Sequence, residues 1–585
     1  MNLLKKYLPS VAFWMQIVLI IVWLSNLAAT DAYFSVYCII AFTAFVSCMH
    51  NRQADCFISK RYVSAINIAS IILSALVIAA NYRIFTLQRD PVFIQASTNL
   101  LVNMINTFLS LVGGIFVFHP ILVWMYRSFP VKCKTNLRQF GDKRHRLFVC
   151  VSFAVIAGIY LIHLLLVEYP GNITEDPFAQ IAEMVSGRYS DFNSFWHTMF
   201  LQGILSIGYF LFDDVNAAVA VLCSVQALIL AGTFCYCLST LYLAGLPAWF
   251  LAVSFVIYGC LPYNIALSVT IWKDVLFAAG CLLFSASLFR IIRNLGRSIW
   301  NYVLLIFGGI LFCLSRSNGW FVFLLSLLIC LAPLWKNKKL LCSITAVFMI
   351  CWTLCNPVLK LLNVAGGDFT ESLSVPLQQV ARVITDGCEL TEEETDLIGR
   401  VLDIEEVPQL YTNWLSDPIK VEFRSNDVTY FNENRGEYLK LWIRLGMRYP
   451  AEYFKAWVDQ TKGYWNGGYS YAMYSETVTD NPYGVEKTGG GNLVAALFGI
   501  YFGLSRHVIF FEPFHSIGLH VWIASAFTLL SVLKKRKEWV LAVPSLVVIL
   551  IMCVGTPVYS CFRYAYPLFA VFPLIVGTGM YDTNA

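Results

Sequence analysis

The feature that most constrains this chain is the recurrence of apolar runs of about 17 to 25 residues along almost its whole length. VAFWMQIVLIIVWLSNLAA, residues 11–29, is the first of them. A run of that length crosses a ~30 Å hydrocarbon core as a helix that satisfies its own backbone hydrogen bonds. A membrane β-barrel would instead alternate strictly over about ten residues per strand, and no such alternation is seen. Composition agrees: 58% of residues are hydrophobic and 13% charged, against about 25% charged in soluble domains. The first run follows Lys5 and Lys6 as a signal peptide would. It lacks a small-residue cleavage site and leads straight into a second apolar run, so it is read as a helix.

Fourteen spans are expected, at 11–29, 32–48, 62–80, 98–126, 147–167, 215–243, 247–270, 275–292, 301–315, 318–334, 340–362, 514–533, 539–556 and 561–578. Lys5/Lys6, Arg52/Lys60/Arg61, the block Arg127 to Arg146, Arg290/Arg293/Arg297, Lys336/Lys338/Lys339 and the KKRK at 534–537 lie in short loops and are assigned to the cytoplasmic side, as are both termini. That parity holds only if TMFLQGILSIGYFLF (198–212) lies in the outer interface rather than crossing. The fold class is thus an all-α polytopic membrane protein of about 14 transmembrane helices with an extracytoplasmic, mainly helical soluble domain. It divides into N-terminal membrane helices (1–146), a membrane core with an acidic outer loop at 168–214 (147–364), an extracytoplasmic acidic domain (365–512) and C-terminal membrane helices (513–585).

The net charge of +5 is unevenly spread. Residues 365–512 carry 22 of the 36 acids against 12 Lys+Arg, a net of −10, which leaves +15 elsewhere. A basic chain whose positive residues sit in short membrane loops, with an acidic soluble part, is not a nucleic-acid binder. Nearly all of the 18 cysteines fall in apolar runs, and no Cys/His cluster has zinc spacing. In the acidic domain Pro376 opens a helix with Leu377, Val380 and Ala381 on one face. Thr391 and Glu394 make a capping box, and 438–465 reads as two amphipathic helices broken at Pro450. GGGN (489–492) lacks the Lys and Ser/Thr of a phosphate loop and reads as a flexible link back to the membrane.

Five acids (Glu168, Glu175, Asp176, Glu183 and Asp191) crowd the point where the chain leaves the fifth run. Ionisable groups at a membrane boundary are costly and point to function. Asp176 precedes Pro177, so it is expected as the N-cap of a helix that puts Asp176, Gln180 and Glu183 on one face. Glu175 stays open as the working carboxylate. Tyr169-Pro170-Gly171 is a turn that folds the loop over the helix ends. Asp274, in TIWKD, opens a later helix at the same outer side and is the second half of a divided site; Lys273 beside it is a neutralising partner. A divalent cation, Mg²⁺ or Mn²⁺, between Asp176 and Asp274 is one alternative, and a metal-free site the other. Tyr464, Trp465, Tyr469, Tyr471 and Tyr474 can stack on a sugar face or anchor the chain at the interface. His163 reads as a packed histidine, and Asn172-Ile173-Thr174 is a glycosylation sequon only in a secretory-pathway host.

The order of features (YPG, ED, Q and FWH after an outward helix, then WKD, SRSNGW and a large late outer domain) resembles the C-type superfamily of integral-membrane glycosyltransferases, in particular the bacterial branch related to protein-mannosyl and aminoarabinose transferases. The resemblance spans about 160 to 578, leaving the first four helices as an N-terminal addition. It implies transfer of a sugar from a polyprenyl-phosphate donor to an acceptor in the cell envelope. It also implies that Asp176, or Glu175, is the first-loop acid and Asp274 the second. Lys273, Arg316, Arg563 and His197 become the candidates for the lipid phosphate, with Gln180 and Trp465 beside the substrate. The family often carries a tight Asp-Glu or Glu-x-Asp pair, whereas here Glu-Asp precedes Pro. The chemistry is coherent on its own terms: a carboxylate takes the acceptor's proton and cations stabilise the departing phosphate. A transporter or lipid-linked glycan flippase is the competing class, and would place charges mid-bilayer on broken helices, often with internal repeats. A polymerase or ligase of lipid-linked glycans would lean on arginines instead.

Overall fold

The computed structural model describes residues 11–28, 34–52, 60–82, 100–132, 140–296, 298–468, 478–507, 511–555, 557–558 and 561–582. Lys5, Lys6, Arg297, Tyr469, Tyr471 and Tyr474 lie outside them. Four helices open the chain: α1 (Val11–Leu27), α2 (Phe34–Arg52), α3 (Lys60–Ala80) and α4 (Leu100–Ser128); β1 (Val131–Lys132) and α5 (Lys143–Leu166) follow. The acidic loop holds α6 (Glu175–Ser186) and α7 (Phe195–Phe212). The bundle resumes with α8 (Val215–Leu243), α9 (Ala248–Cys260), α10 (Pro262–Ser268), α11 (Lys273–Ile292), α12 (Ser298–Leu314), α13 (Gly319–Leu334) and α14 (Lys338–Thr353). A late helical unit contains α15 (Ser374–Thr385), α16 (Glu392–Gly399), α17 (Asp417–Ser425), α18 (Arg435–Arg448) and α19 (Pro450–Trp465). The chain closes with α20 (Leu493–His507), α21 (Ile517–Leu533), α22 (Val543–Val554), α23 (Phe562–Met580) and β2 (Tyr581–Asp582).

Every expected apolar span is represented by a helix. Seven of the described helices, α7 among them, are long and apolar enough to cross a membrane, and α9 and α10, bent by 47° where Pro262 follows Leu261, make an eighth if counted as one span. Proline explains the break, because it removes a backbone donor and clashes with the preceding turn. Helix α11 is the axis of the bundle, buried along almost all its length. It meets α12 at backbone contact: a Cβ on Gly280 would lie 2.4 Å from the Phe312 nitrogen, and one on Gly308 2.7 Å from the Phe284 nitrogen. Small residues are what let membrane helices approach so closely.

The two ends of the bundle differ in charge. At one end β1 pairs in parallel with β2, Lys534 donates to the Phe129 carbonyl, Arg293 pairs with Glu538, and His145 meets Ser239 at 2.8 Å. The described segments 127–132 and 140–146, the one after Arg290 and 534–537 therefore share this basic end. At the other, acidic end the Ser194 hydroxyl donates to the Leu314 carbonyl at 2.6 Å and the Trp196 indole to the Leu354 carbonyl at 3.3 Å. Helix α7 starts here. It also finishes here, because after the Asp213–Asp214 turn Asn216 of α8 accepts from the Glu486 amide at 3.0 Å, next to Lys487, which pairs with Glu168. It is long enough to span a membrane, yet it does not traverse the bundle; Ile207, Phe210 and Leu211 project from it, Phe210 with 87% of its surface free.

The late helical unit has its own core, with Ala381, Ile398, Phe423 and Leu445 at its centre. The expected capping box is present, the Thr391 hydroxyl accepting from the Glu394 amide at 3.3 Å and the Glu394 carboxylate from the Thr391 amide at 3.0 Å. Two expectations need correction. Residues 493–507, assigned above to the soluble domain, form the apolar helix α20, which packs against α5 through Phe498 and Phe502 on His163 and donates from Tyr501 to the Cys260 carbonyl at 2.6 Å. GGGN is not a loose link either. Gly489 donates to the Tyr169 carbonyl at 3.0 Å and Asn492 to the Leu166 carbonyl at 2.6 Å, and a Cβ on Gly489 would sit 2.4 Å from the Tyr169 nitrogen.

A candidate active site at the acidic end

The acidic loop is fastened before it presents any charge. The Asn172 amide donates to the Val269 carbonyl at 2.9 Å and the Ile271 amide to the Asn172 carbonyl at 3.0 Å, so the segment after α5 and the segment before α11 run side by side. Gly171 makes the approach possible: its φ of +126° suits glycine, and a Cβ there would lie 2.2 Å from the Cys223 sulfur. Gln226 on α8 clamps the second segment from beneath, donating to the Thr270 carbonyl at 2.7 Å. The Trp272 indole donates to the Thr174 hydroxyl at 2.8 Å. Helix α6 is thus capped by Thr174 rather than by Asp176, which occupies its first turn; the Thr174 oxygen serves Trp272 instead of the helix.

From this frame the charges converge. Asp176 pairs with Arg563 at 3.0 Å, and Arg563 donates to the Tyr564 hydroxyl at 3.0 Å. Arg316 lies 4.8 Å from the Tyr564 ring centre on its other approach and pairs with Asp274. Arg563 also lies 4.9 Å from the Trp272 ring. Lys273 donates to Asn193 and acts electrostatically on Asp176. Partial burial works to raise the Asp176 carboxyl, but Lys273, Arg563 and Arg316 together outweigh it and hold it below the ordinary carboxylate value. Asp274 is 1% exposed and its second oxygen, Oδ2, makes no hydrogen bond among the described residues. Five predicted site residues, Asp176, Lys273, Asp274, Arg316 and Arg563, therefore meet, carried by α6, α11, the α12–α13 turn and α23.

The others do not join them directly. Glu175, in the first turn of α6, is exposed. Gln180 and His197 stand behind the cluster, where the Gln180 amide donates to Thr198 at 2.8 Å and meets His197 Nδ1 at 3.1 Å, tying α6 to α7. Trp465 is buried at the base of the late helical unit, stacked on Trp457 at 5.8 Å with its indole donating to Thr461; Tyr464 is wholly buried, donating to the Val558 carbonyl at 2.6 Å. Neither offers a ring face to a sugar. Glu168, buried, is taken by Lys487, and Glu183 accepts from Ser190 at 2.5 Å. Tyr564, Asn193 and Asp191 have places around the cluster that no spacing in the sequence announces.

A divalent cation does not fit between Asp176 and Asp274. Each carboxylate already faces a guanidinium, a third cation accompanies them, and among the described residues no group of three His, Cys, Asp or Glu side chains gathers to ligate a metal. Mg²⁺ and Mn²⁺ sites are built from oxygen ligands in excess of positive neighbours. Arg316, Arg563 and Lys273 stand against Asp176 and Asp274, with Asp191 also within electrostatic reach of Lys273.

Fold and site together define a helical membrane protein with a cluster of paired charges at one end of its bundle. Residues 181–584 match the model of a family of unknown function, DUF6020, and the chain belongs to that family. No curated protein and no solved structure matches it.

Proposed function

We propose that this protein is a membrane glycosyltransferase that moves a sugar from a polyprenyl-phosphate donor to an acceptor outside the cytoplasm: an envelope glycan, lipid or protein. The observation that carries the reading is the meeting of Asp176, Lys273, Asp274, Arg316 and Arg563 from four distant segments at one end of the bundle. A phosphate leaving group needs cations aimed at the charge that develops as the bond to the sugar breaks, and the two guanidiniums and the ammonium supply them. Asp176 and Asp274 hold those cations in register. Trp272 and Tyr564 pack against the guanidiniums and fix where they lie. The exposed apolar side chains of α7, whose first turn adjoins the site, support a lipid-accessible position, as a donor with a long tail requires. Charges at the end of the bundle rather than at mid-depth favour an enzyme over a transporter.

In this reading the acidic end faces outward, the basic loops and both termini face the cytoplasm, and about 14 crossings include the shorter apolar helices. Residues 365–492 form the extracytoplasmic unit and α20 returns to the bilayer. Lipid analysis of a strain lacking the protein tests the function. A polyprenyl-phosphate sugar, or an envelope polymer lacking one residue, is expected to accumulate and to be cleared by the unaltered protein but not by Asp176→Asn. An unchanged lipid and envelope profile overturns the reading.

A further inference from the structure

The cluster supplies three cations but lacks an evident proton acceptor. Asp176 is pinned by Arg563 and surrounded by cations, which makes it a weak base. Asp274 is sealed against Arg316 with 1% of its surface exposed, beyond reach of an acceptor hydroxyl. Asp191 is placed differently. It sits in the turn before α7, where its Oδ1 accepts from the Phe195 amide at 3.1 Å and its own amide donates to the Ala365 carbonyl at 2.8 Å. Its Oδ2 takes no hydrogen bond among the described residues and is not sealed from solvent. Lys273 links it to the cluster: the ammonium bonds Asn193, two residues on, lies 6.0 Å from the Phe192 ring, and acts on both Asp191 and Asp176. Asp191 is thus joined to the cluster through Lys273.

Resting on the glycosyltransferase reading, we infer that Asp191 is the catalytic base that takes the acceptor's proton, while Asp176 is a positioning residue for Arg563. In the step, the acceptor O–H proton passes to Asp191 Oδ2 as the acceptor oxygen bonds to the anomeric carbon. The bond from that carbon to the donor phosphate oxygen breaks, and polyprenyl phosphate leaves with the electron pair, held by Lys273, Arg316 and Arg563. Asp191 then loses the proton to water. The groups that face it are Lys273 on α11, the Phe195 amide on α7, Glu183 on α6 and Cys355 in the π-helical segment (Leu354–Val358) that continues α14. Burial raises its carboxyl to about 6, with Glu183 adding to the rise and the Phe195 amide and Lys273 opposing it. A base with that affinity for protons is tuned for work near neutral pH.

The test is sugar transfer by the full-length protein in liposomes, using radiolabelled polyprenyl-phosphate sugars extracted from the organism's own membranes. The unaltered protein is expected to lose activity as pH falls through about 6. Asp191→Asn keeps the bond to Phe195, and should therefore fold, yet lose about 100-fold or more in kcat with little change in donor KM, and lose that acid limb. Asp191→Glu should recover part of the rate with the limb moved. Near-normal kcat in Asp191→Asn with the acid limb retained overturns the assignment of the base alone, provided Asp176→Asn and Arg563→Gln are still defective. No transfer by the unaltered protein overturns the glycosyltransferase reading itself.

Discussion

At the scale of single residues, the two ion pairs of the site differ in what holds them. Asp274 and Arg316 have side chains 1% and 11% exposed, so removing one partner leaves a buried charge without a counter-ion. Asp274→Asn is expected to cost about 3–5 kcal/mol, read as a drop in thermal midpoint in detergent, and Asp274→Asn with Arg316→Met should recover most of it. Asp176 and Arg563 are 34% and 21% exposed, and Asp176→Asn should cost only about 1 kcal/mol while still impairing transfer. Equal destabilisation by both changes would contradict this division. The carboxyls also respond oppositely to pH. Asp176 is depressed in the fold, so its contribution is present above the ordinary carboxylate range and fades as pH falls through it. Asp191 is raised to about 6, so its stabilising contribution is present in acid and is lost as pH rises through that value. Asp191→Asn is accordingly expected to raise the thermal midpoint at pH 7.5 by an amount worth about 1–2 kcal/mol, and to do nothing at pH 4. A lower midpoint at pH 7.5 would mean the charge is welcome there.

Secondary structure sets the geometry of these charges through close packing. Lys273 and Asp274 open α11 while Arg316 follows α12, and the distance between them depends on how closely the two helices approach. Gly280 and Gly308 fix that approach, each leaving its Cβ position against the partner's backbone. Gly280→Val should separate the helices, cost about 1–3 kcal/mol or more, and abolish transfer from about two helical turns away, whereas a volume-conserving swap on the lipid side of α12, such as Ile299→Leu, should change neither. Unaltered transfer in Gly280→Val would show that the pairing of Asp274 with Arg316 does not govern the site. The helices themselves were legible in the sequence because each apolar run is long and uninterrupted, and the capping box at Thr391 because its chemistry is local. Helix α20 was not legible as part of the bundle, because its 15 residues follow GGGN and fall short of a span. The cap of α6 was misplaced for a non-local reason: Thr174 is drawn to Trp272, 98 residues away. Asp176, Asp274, Arg316 and Arg563 could be nominated because charge at a membrane boundary is rare. Tyr564, Asn193 and Asp191 could not, since an aromatic, an amide and one acid among five carry no such signal until the fold brings them to Lys273.

For the whole molecule the governing fact is that charge is sorted by end. The N-terminal helices belong to the same body as the rest, since Tyr37 on α2 donates to Asn466 at 3.1 Å and Tyr82, just past α3, to the buried Asp459 at 2.8 Å, both next to or on α19. These contacts fasten the acidic-end termini of the early helices to the late helical unit, so the orientation of one part dictates that of all. The described basic segments at 127–132, 140–146, 290–296 and 534–537 share the opposite end, and short basic loops stay on the cytoplasmic side. One labelling experiment therefore decides the whole arrangement. With Cys388 replaced by serine, Ser186→Cys at the exposed end of α6 and Lys537→Cys in the basic loop report on the two ends. A membrane-impermeant maleimide added to intact cells should modify the cysteine at 186, and should reach the one at 537 only after the cells are opened. The reverse pattern would turn the charged cluster toward the cytoplasm, where the proposed transfer to an envelope acceptor has no meaning. Labelling of both in intact cells would mean that the two ends of one rigid bundle lie on the same side, which the 29-residue α8, running from Asn216 beside Glu486 to Ser239 beside His145, does not permit.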